Sequence, residues 1–221
     1  MFISVDNYLL IANEHYKNKY VFDRNNLEKI ISVVRSAIEH NSRVLAFRVE
    51  MHLPSDFVHQ IIFREHPEYG GVVIKAFFEE FNKLLNLDVR EQVLNGKRIR
   101  CTDVRYIWAR EQTDDAPVPH YHMMIFLSRE AYYKLGRFDS EVMNLANKIR
   151  MAWHRAVYEE NVTIQFCQNR GLVHFPDNAE YRCDKDDEES IRKMLLRAAY
   201  LAKNETKRRG CKYRCFGGSN I

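Results

Sequence analysis

Val118-Pro119-His120-Tyr121-His122-Met123-Met124-Ile125-Phe126 is the stretch whose reading decides the fold. Its apolar run of strand-forming length predicts a strand over 120–127, in which residues i and i+2 share a face. His120 and His122 then point to one layer, and Tyr121, Met123 and Ile125 to the other. Two imidazoles held side by side on a rigid strand make a ready chelate. A lone His-x-His pair is equally well explained by hydrogen-bonded or surface histidines, so its neighbours must decide.

Upstream, residues 112–119 (QTDDAPVP) are a polar, proline-bearing connection. Before it, the Asn95-Gly96 turn signal leads into a strand predicted over 99–111 that ends in Glu111. An antiparallel return brings the Glu111 carboxylate beside the two histidines. Two nitrogens and one oxygen leave positions open on a divalent ion, and this mixed set suits Mg²⁺ or Mn²⁺ without choosing between them. A further strand, 44–53, alternates Leu45, Phe47, Val49 and Met51 on one side with Ala46, Arg48, Glu50 and His52 on the other. Read as half-buried and ended by Pro54, it supplies Glu50 and His52 as alternative third ligands.

Helices surround these strands. Leu27, Ile30, Ile31, Val34 and Ile38 follow helical spacing over 27–40, with Asn25 or Asn26 as cap. Gly70-Gly71 precede a helix over about 72–85. A long helix is expected over 140–159, with Leu145, Ile149, Trp153 and Val157 inward. Residues 163–167 and 172–175 read as short strands, and 187–204 as the final helix, its acidic start matching the helix dipole. Neighbouring strands without single helical crossovers predict an α+β fold, a central mainly antiparallel sheet flanked by helices. Residues 1–40 are expected as a helical extension packed on a domain spanning 41–221, the whole a single globular unit.

On the last helix, Ile191, Leu195, Ala198 and Ala202 make the buried stripe. Tyr200 lies almost opposite, with Lys203 one turn on and Lys193 near the same line. The phenol is therefore expected on an accessible, basic face.

Composition narrows the classes. With 221 residues, 13 Phe, 12 Tyr and 2 Trp, the chain is not disordered. No run approaches the roughly 20 uncharged residues of a membrane span. The short run Tyr8-Leu9-Leu10-Ile11-Ala12 follows Asp6 and not a basic segment, so no secretory signal is expected. Five cysteines without a CxxC pair read as free thiols in a reducing cytoplasm. Cys211 and Cys215 have no second pair at metal-ligand spacing to complete a site.

The net charge of +4 is unevenly spread. Residues 191–221 carry nine basic residues and one acidic residue, a local +8. Lys193, Arg197, Lys207, Arg208, Arg209, Lys212 and Arg214 are the candidate polyanion contacts. Tyr213 and Phe216 among them favour unpaired bases.

These parts combine into one reaction. A metal on His120, His122 and Glu111 polarises a scissile phosphate. Tyr200 attacks the phosphorus, and Lys203 promotes ionisation of the phenol or protonates the leaving oxygen.

The motif PHYHMMIF, the later Tyr200-Leu201-Ala202-Lys203 and the stretch from Leu45 to Pro54 resemble the HUH single-strand endonucleases. More closely, the chain is similar to the replication-initiator-like proteins of filamentous phages and prophages, the inovirus-type and YagK/YfjJ C-terminal group. The landmarks run from about residue 40 to 219 and include LSREAYYKLG (127–136), VHFP (173–176) and RCFGGS (214–219). The resemblance implies an HUH-type domain that nicks and rejoins one DNA strand to start rolling-circle replication. Its implied partners are single-stranded or hairpin origin DNA and a host or phage helicase. With one tyrosine on the helix face, termination calls for a second protomer, hence a possible homodimer, or a water. A non-cleaving prophage DNA-binding regulator and an HUH transposase or relaxase stand as alternatives.

Overall fold

A computed structural model of the chain describes residues 3–55, 69–112, 116, 118–158, 162–205, 207 and 214–220. At its centre is β3 (His120–Ser128), antiparallel to β1 (Arg43–His52) on one side and β2 (Arg105–Glu111) on the other. The far edge of β1 takes two short strands end to end. β4 (Val173–His174) lies opposite Glu50 and Met51, and β5 (Glu180–Asp184) lies opposite Arg43 to Phe47. The far edge of β2 takes β6 (Phe216–Gly218). Every pairing is antiparallel, so the fold is α+β, with an open antiparallel sheet flanked by helices.

Alternation sends the strands' side chains to two cores. On one face, Leu45, Phe47, Val49, Met51, Tyr121, Met123, Ile125 and Leu127 join Phe77 and Phe81 of α3 (Tyr69–Leu94) and Trp153 of α4 (Leu145–Tyr158). On the other face, Val44, Ala46, Ile107, Ala109, Met124 and Phe126 join residues of α1 (Val5–His15), α2 (Arg24–His40) and α6 (Glu188–Ala199). Strand β1 is therefore buried from Val44 through Val49, and is not half-exposed as its alternation suggests. With helices on both faces, polar residues of the strand must find partners inside the protein.

Several boundaries differ for local reasons. Helix α2 is capped by Asp23, whose carboxylate accepts from the Asn26 N–H at 3.0 Å, and not by Asn25 or Asn26. Helix α3 starts at Tyr69, taking in Gly70-Gly71, and runs past 85 to Leu94. Strand β2 begins only at Arg105, and α4 only at Leu145. Asn144 stops α4 from starting earlier: its side chain accepts from the Asn147 N–H at 3.0 Å, as an N-cap does. The end of the helix predicted to reach 159 lies outside the described residues.

Residues 163–167, read as a strand, open helix α5 (Ile164–Arg170). The Thr163 side chain caps its start at Phe166 N, and Gly171, with φ +63°, ends it in the left-handed conformation. Helix α1 lies within the helical extension expected over 1–40, whereas strands β5 and β6 were not expected. β6 relies on glycine: a Cβ on Gly217 would lie 2.8 Å from the Trp108 indole. No described helix is long and apolar enough to cross a membrane.

Candidate active site

Register assembles the site. His120 lies opposite His52 on β1 and Glu111 on β2. One step along, His122 lies opposite Glu50 and Ala109. Ala109 is small, which leaves room above the sheet between Glu111 and His122. All these positions face the α2/α6 layer, where the 3₁₀ turn Tyr200–Ala202 follows directly on α6.

Glu111 Oε2 lies 3.4 Å from His122 Nε2 and 4.0 Å from His120 Nε2. One ligand atom from each of Glu111, His120 and His122 falls within 4.8 Å of the others, so the predicted trio converges on one point. The alternatives take supporting positions. Glu50 Oε1 sits 3.2 Å from His122 Nδ1, on the side of the ring away from Glu111. The His52 ring stacks on His120 at 5.4 Å between centroids and 11° between planes.

Arg48 completes this corner. Its Nη2 donates to Glu50 Oε1 at 3.1 Å and lies 3.2 Å from His122 Nδ1. Guanidinium only donates. With the Nδ1 proton on His122, the Glu50 anion accepts from both neighbours, and His122 Nε2 presents its lone pair toward Glu111 and His120. That tautomer is the one a metal ligand needs, held by a carboxylate behind the ring. With the proton on Nε2, Arg48 bonds Nδ1 and His122 instead donates to Glu111.

Tyr200 and Lys203 reach the trio by a route the helical wheel did not anticipate. The α-helix ends at Ala199, Tyr200 opens the 3₁₀ turn and is half-buried, and Lys203 is only 5% exposed. The cause is local: Leu201 and Ala202 are themselves buried, which draws the turn against the sheet. The residues therefore do not form an open basic face. Lys203 Nζ donates to the Tyr200 hydroxyl at 2.8 Å and to Glu111 Oε2 at 3.1 Å. Phenol, ammonium, carboxylate and imidazole thus form one continuous chain. The Tyr200 ring stands edge-on to His122 at 6.0 Å, with the Arg48 guanidinium 4.3 Å from its centre.

Burial pushes His52 and His120 below the ordinary imidazole range. Burial acts the same way on His122, but hydrogen bonds to Glu111 and Glu50 outweigh it and raise its pKa. The hydrogen bond from His122 holds Glu50 down to about 2, against burial and with the help of the His122 and Arg48 charges. Burial would lower Lys203 too. Tyr200 and Glu111 more than offset it, so its ammonium is held above the ordinary range.

The predicted polyanion contacts among the described residues differ in setting. Lys193 is exposed and 3.5 Å from Glu189. Arg197 is partly buried, and Arg214 is exposed with its Nε donating to the Phe216 carbonyl. Lys207 folds back to donate to the Leu201 and Lys203 carbonyls, and burial pushes its pKa down to about 8. Arg208, Arg209 and Lys212 lie outside the described residues, as does Cys211. Cys101, Cys167 and Cys183 are free thiols.

The structural role of Arg48, and the rings of Tyr16 and Tyr20 against Tyr200, were missed in the sequence. A signal existed for Arg48: a charge amid an apolar strand, on the same face as Glu50 and His52.

The family described as YagK/YfjJ C-terminal domain matches residues 6–219. The uncharacterized protein YagK of Escherichia coli K12 is 32% identical over 182 residues, covering 81% of this chain and 84% of that protein. The uncharacterized protein YfjJ of the same organism is 26% identical over 197 residues, covering 87% and 92%. No solved structure matches.

Proposed function

The chain belongs to the YagK/YfjJ C-terminal domain family, and on that premise we propose that it is an HUH-type, metal-dependent single-strand DNA endonuclease and strand transferase with Tyr200 as nucleophile. One observation carries the reading. Lys203 Nζ bridges the Tyr200 hydroxyl, at 2.8 Å, and Glu111 of the Glu-His-His trio, at 3.1 Å. A phenol whose hydroxyl is tied through a buried ammonium to a candidate metal cluster has a ready role in phosphoryl transfer.

The donors fit a divalent ion. They are two imidazole nitrogens and a carboxylate oxygen gathered at one point, with a carboxylate behind one imidazole. His120, His122 and Glu111 would hold Mg²⁺ or Mn²⁺, which supplies Lewis-acid polarisation of a phosphate. The chain's own residues do the rest. The Tyr200 oxygen forms a bond to phosphorus as the P–O3′ bond breaks, giving a 5′-phosphotyrosine and a free 3′-OH. The phenol proton, relayed through Lys203, ends on the leaving 3′ oxygen. Arg48 and Lys203 hold the phenol ring in place from a buried position. Reversal by an incoming 3′-OH rejoins the strand without external energy.

The biological role that fits is initiation of rolling-circle replication at single-stranded or hairpin origin DNA, with a helicase supplied separately. The test is a labelled single strand from a candidate origin of the host element, incubated with protein and Mn²⁺. The expected product is an SDS-resistant protein–DNA band, absent with Tyr200→Phe. An adduct that persists in Tyr200→Phe would show that another residue is the nucleophile. No adduct with any candidate strand would remove the nickase reading.

A further inference from the structure

Between α1 and α2 the chain reads Tyr16-Lys17-Asn18-Lys19-Tyr20-Val21-Phe22, aromatics interleaved with lysines and no acid. It forms a tight turn in which Lys17 and Asn18 take φ of 51° and 53°. Backbone bonds from Asn18 N to Asn13 O at 2.8 Å and from Lys19 N to Tyr16 O at 3.0 Å close it. Such left-handed residues persist where the surroundings hold them.

What holds the turn is the segment carrying the nucleophile. Phe22 and Lys203 form an antiparallel bridge. Asp23 N donates to Ala202 O at 2.9 Å, and Asn204 N to Val21 O at 2.8 Å. Val21 N donates to the Glu205 carboxylate at 2.8 Å. The Tyr16 hydroxyl donates to Leu196 O at 3.0 Å. Both ends of the turn are therefore tied to the segment that carries Tyr200. The turn sets the Tyr20 ring 5.5 Å from the Tyr200 ring, at 87°, with Lys17 and Lys19 exposed alongside.

We infer that this turn is a substrate-positioning element. Tyr20 stacks on an unpaired base next to the scissile phosphate, while Lys17 and Lys19 neutralise phosphates of the same strand. The argument rests on the single-stranded DNA substrate proposed above. Aromatic faces accept any unpaired base, and lysines beside them follow the backbone. A base in a duplex cannot offer its face, so the element selects single strands. Tyr20 acts by fixing where the strand lies over Tyr200 and takes no part in bond making.

The experiment uses the full chain carrying Tyr200→Phe, so that only non-covalent binding is read, with a labelled 30-nucleotide oligothymidylate in EDTA. Tyr20→Ala is expected to weaken binding about 10-fold, and Tyr20→Trp to restore it. Lys17→Gln with Lys19→Gln is expected to lower the slope of log affinity against log salt by between one and two. A duplex probe should not respond to Tyr20→Ala. Both lysines are exposed, so the double variant tests the idea even if Tyr20→Ala folds poorly. Oligothymidylate binding that stays within 2-fold for Tyr20→Ala, with an unchanged salt slope for the lysine pair, overturns the inference, whether or not the Tyr200 protein forms adducts. If these variants weaken binding while the protein with Tyr200 intact forms no adduct, the nickase reading fails and the turn stands as a single-strand binding element alone.

Discussion

On the face of the sheet covered by α3 and α4, Tyr121, Met123 and Ile125 share a core with Phe77, Phe81 and Trp153. On the face covered by α2 and α6, their immediate neighbours His120 and His122 meet Glu111, Glu50 and His52, with the Tyr200 ring beyond. The same strands thus build a mainly apolar layer and a layer half given to buried charge. The charged half holds together only because each group is the partner of the next, from Arg48 through Glu50, His122 and Glu111 to Lys203. Both sides are packed, but buried charge and the candidate chemistry are concentrated on the second, where burial is costly without pairing.

Substitutions can separate the two sides. Phe77→Ala removes a fully buried ring from the apolar layer and should cost about 3–5 kcal/mol, read as a fall in chemical-denaturation midpoint. Per folded molecule, Mn²⁺ affinity should not change; a large loss would mean that the layers are not separate. Glu111→Ala should cost about 3 kcal/mol, because it strands the buried Lys203 ammonium. Glu111→Leu combined with Lys203→Met should recover most of that stability by the same measurement while binding no Mn²⁺. Failure to recover would mean that the pair is itself a net source of stability.

Glu50→Gln keeps a hydrogen-bond acceptor behind His122 but removes the charge. Calorimetry should show Mn²⁺ affinity lowered about 10–100-fold, with little change in stability. The smallest effect is in the pH dependence of the metal-free protein. Glu50 is held at about 2, below its ordinary 4.5, so its contribution is complete above about 4.5 and is lost as pH falls toward 2. His122 is raised, so its contribution is complete below about 6.5 and is lost as pH rises through its folded value. Unfolding free energy should therefore fall less steeply below pH 4.5 in Glu50→Gln than in the parent. Equal slopes would remove the Glu50–His122 bond as the cause.

Much of this was legible because a strand's period of two is simple. The alternation of β1 and β3, the shared face of His120 and His122, and the return that brings Glu111 beside them all follow from it. The spacing of Tyr200 and Lys203 was visible too, but their setting was not. A wheel assumes an unbroken helix, and the break after Ala199 depends on how Leu201 and Ala202 pack on other elements. Residues 163–167 contain strand-forming Thr, Ile and Phe, yet the Thr163 cap and Gly171 stop decide for a helix. The pairings of β5 and β6 and the burial of Arg48 depend on contacts distant in sequence. Tyr20 was invisible as a neighbour of Tyr200 because the bridge from Phe22 to Lys203 spans nearly the whole chain.

The nine-residue register between β1 and β3 carries a consequence for assembly. Displacing β3 by a single position would drive both imidazoles into the layer of Phe77 and Trp153 and turn the Tyr121 ring toward Glu111. Such a misfolded sheet would lose its greasy filling and its chemistry in the same stroke. Quality control by hydrophobic collapse therefore doubles as inspection of the reactive centre: molecules that escape aggregation already carry their imidazoles on the correct side.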